Sequence, residues 1–316
     1  MNLRGTGEGT LIRKIREKFA TLATFKEGSV QVGIGDDAAV FDFPPGQSVV
    51  FCSDLVAENT HFVRDLHPPY AIGYKAVAVN VSDVGAMGGV PMHFLISLAA
   101  PGDLDFAWVE RFYDGVEAAC LDFNVSLLGG DSSSSDLIFV DVSMVGRVPS
   151  GRAVRRAGAR PGDGIYVTGV LGSSALGLEL LKAGGDLSNP AVKRHLYPTP
   201  RHRVGAVLAG QAHAMIDVSD GLSTDLPHIL EESKVSARIY KDRLPAAPGV
   251  QDHHVLHGGE EYELLITAPD LPKIVEGVPV TRIGEIIESG LENQLFLIDG
   301  ATESVLSPSG WQHFRA

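Results

Sequence analysis

Carboxylates gather beside glycine or small polar residues at four places in this chain: Gly33-Ile34-Gly35-Asp36-Asp37, Cys52-Ser53-Asp54, Gly129-Gly130-Asp131 and Asp217-Val218-Ser219-Asp220-Gly221. A fifth acid, Asp83, follows Asn80 by three residues inside an otherwise apolar stretch, so the two share nearly one helical face. Taken singly, such pairs are ordinary turn formers and helix caps. Taken together they set like charges side by side, and two carboxylates about 6 Å apart repel by ~3 kcal/mol at an effective dielectric of 20. Four converging acids would consume most of a domain's stability of about 5–15 kcal/mol unless protonated or neutralised by cations. Hard divalent ions with oxygen ligands are the natural occupants, Mg²⁺ before Ca²⁺, because no EF-hand spacing is present. Mg²⁺ with few protein ligands usually completes its shell with substrate phosphates, which points to a nucleotide. No P-loop, kinase signature pair or dinucleotide-binding glycine fingerprint accompanies the acids.

These residues need elements to position them. Apolar spacing predicts a helix over Thr10–Leu22 with Thr10 as N-cap, and a buried strand over Ser48–Cys52 that leaves Asp54 at a strand end. A long small-residue helix is expected from Pro69 to Met87, a strand over Phe94–Ala100, a helix over Leu104–Leu121 and an alternating strand over Leu137–Val148. The run Ser132–Ser135 reads as a loop beside Asp131. Turn-rich sequence puts a domain boundary near Pro149–Gly151. Beyond it, strands are expected at Ile165–Thr168, Ala214–Asp217, Ala237–Tyr240, Leu264–Thr267 and Leu295–Ile298. Helices are expected at Ser173–Ala183, Pro200–Gly210, Leu222–Glu232 and Leu271–Glu276. The pattern is two α/β domains, 1–149 and 150–316.

Composition narrows the partners. Lys and Arg total 26 against 39 Asp and Glu, giving −13, which argues against a nucleic-acid binder that needs a basic face. Mean hydropathy of +0.10 and the absence of any ~18-residue apolar run argue against a membrane span. The first eight residues lack the apolar stretch of a signal peptide, and Cys52 and Cys120 suit neither a disulfide framework nor a zinc ribbon, so a cytoplasmic setting is expected. His253-His254-x-x-His257 raises a zinc reading, although its spacing does not fit H-E-x-x-H.

The ordered blocks Gly33–Ala38, Ser53-Asp54 with Thr60-His61-Phe62, Lys75–Asp83, Gly129–Asp131, Arg156–Asp163, Asp217–Gly221 and Gly258–Leu264 resemble the thiamine-monophosphate kinase family of the aminoimidazole ribonucleotide synthetase-like superfamily. The resemblance spans nearly the whole chain. It implies an N-terminal ATP- and Mg-binding α/β domain whose mixed sheet pairs in a homodimer, a C-terminal α/β domain, and phosphorylation of thiamine monophosphate by ATP. It further implies that Asp37, Asp54, Asp83, Asp131 and Asp217 hold Mg²⁺, with Cys52 and Ser53 lending side-chain or backbone atoms and Asp220 holding a further ion. Gly130, Asp131, Arg156, Ser219 and Tyr113 are implied in ATP contact, Arg156 as a phosphate clamp. His61, Glu260 and Trp311 are implied on the thiamine-phosphate side, and Asp83, Asp131 and Arg156 are the expected catalytic set. Glu261 departs from the family pattern, where an aspartate is common. The competing readings are another ATP-using enzyme of the superfamily, and a non-catalytic acidic module that binds divalent cations.

Overall fold

The computed structural model describes residues 2–19, 30–34, 38–290 and 292–312. Asp37, expected as a metal ligand, lies outside them. The chain divides into two compact units, one of residues 1–84 with 90–151 and one of 85–89 with 152–316. Each is a mixed sheet with helices.

In the N-terminal unit, α1 (Leu3–Thr6) and α2 (Glu8–Phe19) precede two short strands, β1 (Val30–Val32) and β2 (Val40–Phe41). Helix α2 starts before Thr10, which is therefore an interior residue rather than its cap. Strand β3 (Gln47–Ala57) is longer than the apolar run suggested, and Asp54 lies inside it, because pairing with β6 (Phe139–Pro149) continues from Gln47–Pro149 to Ala57–Phe139. Helix α3 (Pro69–Ala86) and helix α4 (Phe106–Phe123) flank β4 (Val90–Ala100) in sequence, and β5 (Ser126–Ser134) follows. The Gly129–Ser134 stretch is thus strand, not turn and loop: it pairs in parallel with β4 over Leu95–Ala100. The sheet order is β3-β6-β4-β5.

Helix α4 is capped by the Asp105 carboxylate on the Ala107 amide and stopped by Asn124 in the left-handed conformation. It lies tight on α3: a Cβ at Gly115 would stand 1.9 Å from the Tyr70 carbonyl oxygen, so glycine sets the approach. Helix α3 is almost wholly buried along its length and covers one face of the sheet, where a Cβ at Gly146 would meet Val84 at 2.4 Å. Val49, Phe51, Leu55, Val90 and Leu95 are exposed large apolar residues of the same sheet.

The C-terminal unit contains β7 (Gly164–Thr168), α5 (Ser173–Lys182), α6 (Pro190–Leu196), α7 (His202–Leu208), β8 (Ala214–Asp217), α8 (Leu222–Ser233), β9 (Ser236–Tyr240), α9 (Asp252–His257) and β10 (Leu264–Ala268). It ends with β11 (Ile274–Val275), β12 (Val278–Ile287), β13 (Leu295–Asp299) and β14 (Thr302–Val305). The sheet runs β14-β13-β9-β12-β7-β10-β8, with β11 paired to β12. The helix expected at Leu271–Glu276 is instead the β11–β12 hairpin, turned by Glu276 (φ 49°) and Gly277 (φ 76°), a pair of positive φ angles that matches strand twist. Ile165, Val167, Ile216, Leu226, Ile229, Leu265 and Ile283 build the core under α8. Neither Cys52 nor Cys120 is in a disulfide, and no helix among the described residues is long and apolar enough to cross a membrane.

Candidate functional site

Strand alternation sorts the N-terminal candidates onto two faces. Cys52 faces α3, with Sγ 3.6 Å from both the carbonyl and side-chain oxygens of Asn80, and Asp54 points to the same side two residues on. Asp83 lies one turn beyond Asn80 and is half-buried. Ser53 points the other way: its hydroxyl donates to Asp141 Oδ1 at 2.7 Å and lies 3.2 Å from Ser143 Oγ. Of the side-chain or backbone atoms expected from Ser53, the hydroxyl thus lies on the face opposite Cys52 and Asp54.

Asp131 aligns with Ser97, and Ser97 with Asp141, on the face that carries Ser53. Its Oδ1 accepts the Ser132 amide at 2.8 Å. Gly130 is obligatory there, because its φ is 154° and a Cβ would fall 1.7 Å from the Ile96 carbonyl oxygen. Strands β3 and β5 are opposite edges of the sheet, so three spacings of about 4.8 Å, or about 14 Å, separate the Asp54 row from the Gly130-Asp131 edge. Asp54 and Asp131 of one chain cannot share a single ion. If both hold cations, they hold different ones.

The His61 turn closes on itself after β3. Asn59 takes φ 66°, the His61 amide donates to the Ala57 carbonyl at 2.9 Å, and the Ala57 amide donates back to His61 Nδ1 at 3.0 Å. Glu58, 8% exposed, accepts Arg64 Nε at 2.8 Å, Arg64 Nη2 at 2.7 Å and the Ile138 amide at 2.9 Å. The Arg64 guanidinium, aided by that amide, holds the Glu58 carboxyl below its usual range despite burial.

In the C-terminal unit the candidates do come together. Asp217 ends β8 and is buried; the Asp220 and Gly221 amides donate to Asp225 Oδ2 at 3.0 and 2.9 Å. Burial, then the charges of Asp217 and Asp220, push the Asp225 carboxyl well up. The side chains here offer oxygen donors, the type that a hard divalent cation takes and a soft one does not. Asp225 was missing from the sequence reading, since an acid in the first turn of a helix reads as a complement to the helix dipole.

Two further segments are hydrogen-bonded to this acidic loop. The Ser219 carbonyl accepts the Glu260 amide at 2.7 Å, and the Asp220 carbonyl accepts the Trp311 amide at 3.1 Å. Trp311 is half exposed. Glu260 holds φ 60° and sets Oε2 3.3 Å from His195 Nδ1. The turn that carries it is fixed by Glu263, which is buried and accepts Arg201 Nε and Nη2, and Arg194 Nη2, all at 2.7 Å, as well as the Thr168 hydroxyl at 2.6 Å. Arg194 Nη2 also reaches the Glu261 carbonyl at 2.6 Å.

Glu261 faces inward, fully buried, with Oε1 accepting the Ser174 amide at 2.8 Å at the start of α5. Burial, only partly opposed by Arg194 and that amide, pushes its carboxyl up to about 7. The unfolded chain releases this proton near the ordinary glutamate value, so stability falls as pH rises from about 4.5 to about 7, and above that the buried charge costs about 3 kcal/mol. Glu261→Gln is therefore expected to gain up to about 3 kcal/mol at pH 8 and almost nothing at pH 4.5. Urea denaturation at the two pH values checks this, and equal gains at both would contradict it.

The remaining candidates differ in their surroundings. Tyr113 is a buried core residue, its ring 5.1 Å from Phe112 and 6.2 Å from Phe19, so it is not an exposed group that a nucleotide could reach. Arg156 is exposed, and its segment is tied through Ser233 to the far end of α8, away from Asp220 at the near end. His253 and His254 meet Glu179 at 3.5 and 3.1 Å through Nε2, but His254 Nδ1 already accepts the Gln251 amide, which leaves the proton on Nε2. A protonated Nε2 offers no lone pair to a metal ion.

Residues 35–148 match the model of the AIR synthase related protein N-terminal domain, and residues 160–293 that of its C-terminal domain. The chain is 38% identical to a thiamine-monophosphate kinase of Escherichia coli O157:H7 over 305 residues, covering 90% of this chain and 92% of that protein. A crystal structure of thiamine-monophosphate kinase from Stenotrophomonas maltophilia K279a superposes with a TM-score of 0.79 at 32% identity, over 91% of this chain and 95% of the other. A structure described as AaThiL complexed with AMPPCP and TMP superposes with a TM-score of 0.77 at 34% identity and covers 99% of both chains.

Proposed function

The chain belongs to the thiamine-monophosphate kinase family, and from that premise we propose that it transfers the γ-phosphoryl group of ATP directly to thiamine monophosphate, yielding ADP and thiamine diphosphate. The observation that carries the proposal is the joining of the acidic Asp217–Asp220 loop, by backbone hydrogen bonds, to both the Glu260 turn and Trp311. One short loop thereby links a cation-ready carboxylate set to a carboxylate and an indole suited to a cationic heteroaromatic ring.

The nucleophile in this reading is a phosphate oxygen of the substrate. Its second pKa near 6 leaves it largely dianionic at pH 7, so no residue is required as a general base. The obstacle is bringing one anion to another in line. Asp54 and Asp83 with Cys52 and Ser53, Asp131 on the opposite sheet edge with a different ion, and Asp217 and Asp220 are the groups we assign to Mg²⁺. Bound there, Mg²⁺ supplies charge neutralisation and alignment of the phosphates. Gly130 and Ser219 bring backbone close to the nucleotide, and Arg156 serves as a clamp for its phosphates. Trp311 and Glu260 hold the thiamine end, and His61 hydrogen-bonds to the same substrate. Turnover tests the reading: ADP and thiamine diphosphate in equal amounts support it, whereas ion binding without nucleotide binding would favour a non-catalytic module.

A homodimer in the cytoplasm is part of the same proposal. Phe51 is 67% exposed, Val49 57% and Leu55 49% along one strand face, with Ser53 between Phe51 and Leu55, more exposed apolar bulk on one strand than scattered single residues give. A second copy covering this face would bury it. Phe51→Asp is expected to convert a dimer into a monomer by light scattering, and a wild-type protein monomeric at micromolar concentration would contradict the assignment.

A further inference from the structure

The His61 turn fixes more than a position. The Ala57 amide can only donate, so the lone pair it meets on Nδ1 must be free of a proton. In neutral imidazole the proton then resides on Nε2. The backbone that sets this is itself held: the Asn59 amide donates to the Phe62 carbonyl at 2.7 Å and the Thr60 and His61 amides donate to the Ala57 carbonyl. Glu58, one residue after Ala57, is clamped by the two-pronged Arg64 contact and by Ile138 of the neighbouring chain segment. Such a fork constrains orientation as well as distance.

We propose that His61 meets its substrate as a neutral hydrogen-bond donor through Nε2–H, locked in that tautomer by the Ala57 amide. The inference rests on the reading above that His61 lies on the thiamine-phosphate side, and it extends that reading to the atom and the protonation state. A donor recognises an acceptor, such as an oxygen of the monophosphate. It also rules His61 out as a proton acceptor, because Nε2 has no free lone pair and Nδ1 is engaged by the backbone.

Three substitutions in the full chain separate the donor from the turn. Asparagine places an acceptor near Nδ1 without reaching Nε2, glutamine places an N–H donor near Nε2, and alanine keeps neither. His61→Ala and His61→Asn are expected to raise KM for thiamine monophosphate about tenfold, the worth of one lost hydrogen bond, with KM for ATP unchanged. His61→Gln is expected to restore KM to within about threefold, even where its melting temperature is the lower of the two amides. The opposite order, with asparagine restoring KM and glutamine failing, would reduce His61 to a turn-closing residue and overturn the proposal. Nitrogen-15 spectra of the wild-type ring read the tautomer without turnover: a bare Nδ1 and protonated Nε2 support the proposal, and the reverse overturns it. A wild-type protein with this tautomer that makes no thiamine diphosphate would defeat the functional reading instead.

Discussion

Asp131→Asn is expected to lower kcat at least about a thousandfold while leaving stability within about 0.5 kcal/mol of the parent. Asp131 is exposed on the edge strand β5, and its Oδ1 accepts the Ser132 amide, a contact the asparagine carbonyl can also make. What disappears is the negative charge. If that charge holds Mg²⁺ on the nucleotide, its loss removes several kcal/mol of stabilisation from a transition state crowded with phosphate oxygens, and about 4 kcal/mol corresponds to a thousandfold. Steady-state kinetics across Mg²⁺ concentrations, beside a melting curve, separates the two effects. Near-normal turnover in a folded Asp131→Asn would remove this residue from the proposed cation set.

The largest effect on stability is expected from Glu263→Ala, at about 3–5 kcal/mol. Glu263 is 1% exposed, and the side chains of Arg194 and Arg201 that converge on it are only 15% and 18% exposed. Removal of the carboxylate would take the shared acceptor from two guanidinium groups in a place where water reaches them poorly, and leave the Thr168 hydroxyl accepting the Leu264 amide but without an acceptor of its own. For a domain of about 5–15 kcal/mol total stability, that is a severe loss. It would also loosen the turn in which Glu260 and Tyr262 hold left-handed φ angles of 60° and 52°. Urea denaturation checks the magnitude, and a loss below about 1 kcal/mol would mean the arginines find other partners.

The parts of this site that could be read from sequence were those set by short-range rules. An apolar run ending in Asp217-Val218-Ser219-Asp220-Gly221 announces a strand and the turn that follows, and both are there. The small-residue pattern of Pro69–Met87 likewise foretells α3, because burial on every side demands it. Gly129-Gly130-Asp131 misled, since local sequence suggests a turn while pairing with the distant β4 makes it strand. Gly130 is required by the Ile96 carbonyl, a neighbour that sequence spacing does not reveal. The same holds for Ser53: alternation along β3 separates its side chain from Asp54, but only once the full extent of the strand is known. Asp225 and the Glu263 clamp depend on contacts made across many residues, so their roles appear only in the folded unit.

Direct transfer sends the γ-phosphoryl group of ATP to thiamine monophosphate with no phosphorylated protein between them. Its most direct test uses purified protein, Mg²⁺ and ATP labelled in the γ-phosphate, with thiamine monophosphate present or absent. Label is expected to pass to the terminal phosphate of thiamine diphosphate, one per ADP formed, with no labelled protein and little inorganic phosphate. Label released mainly as inorganic phosphate, or no thiamine diphosphate at all, would contradict it.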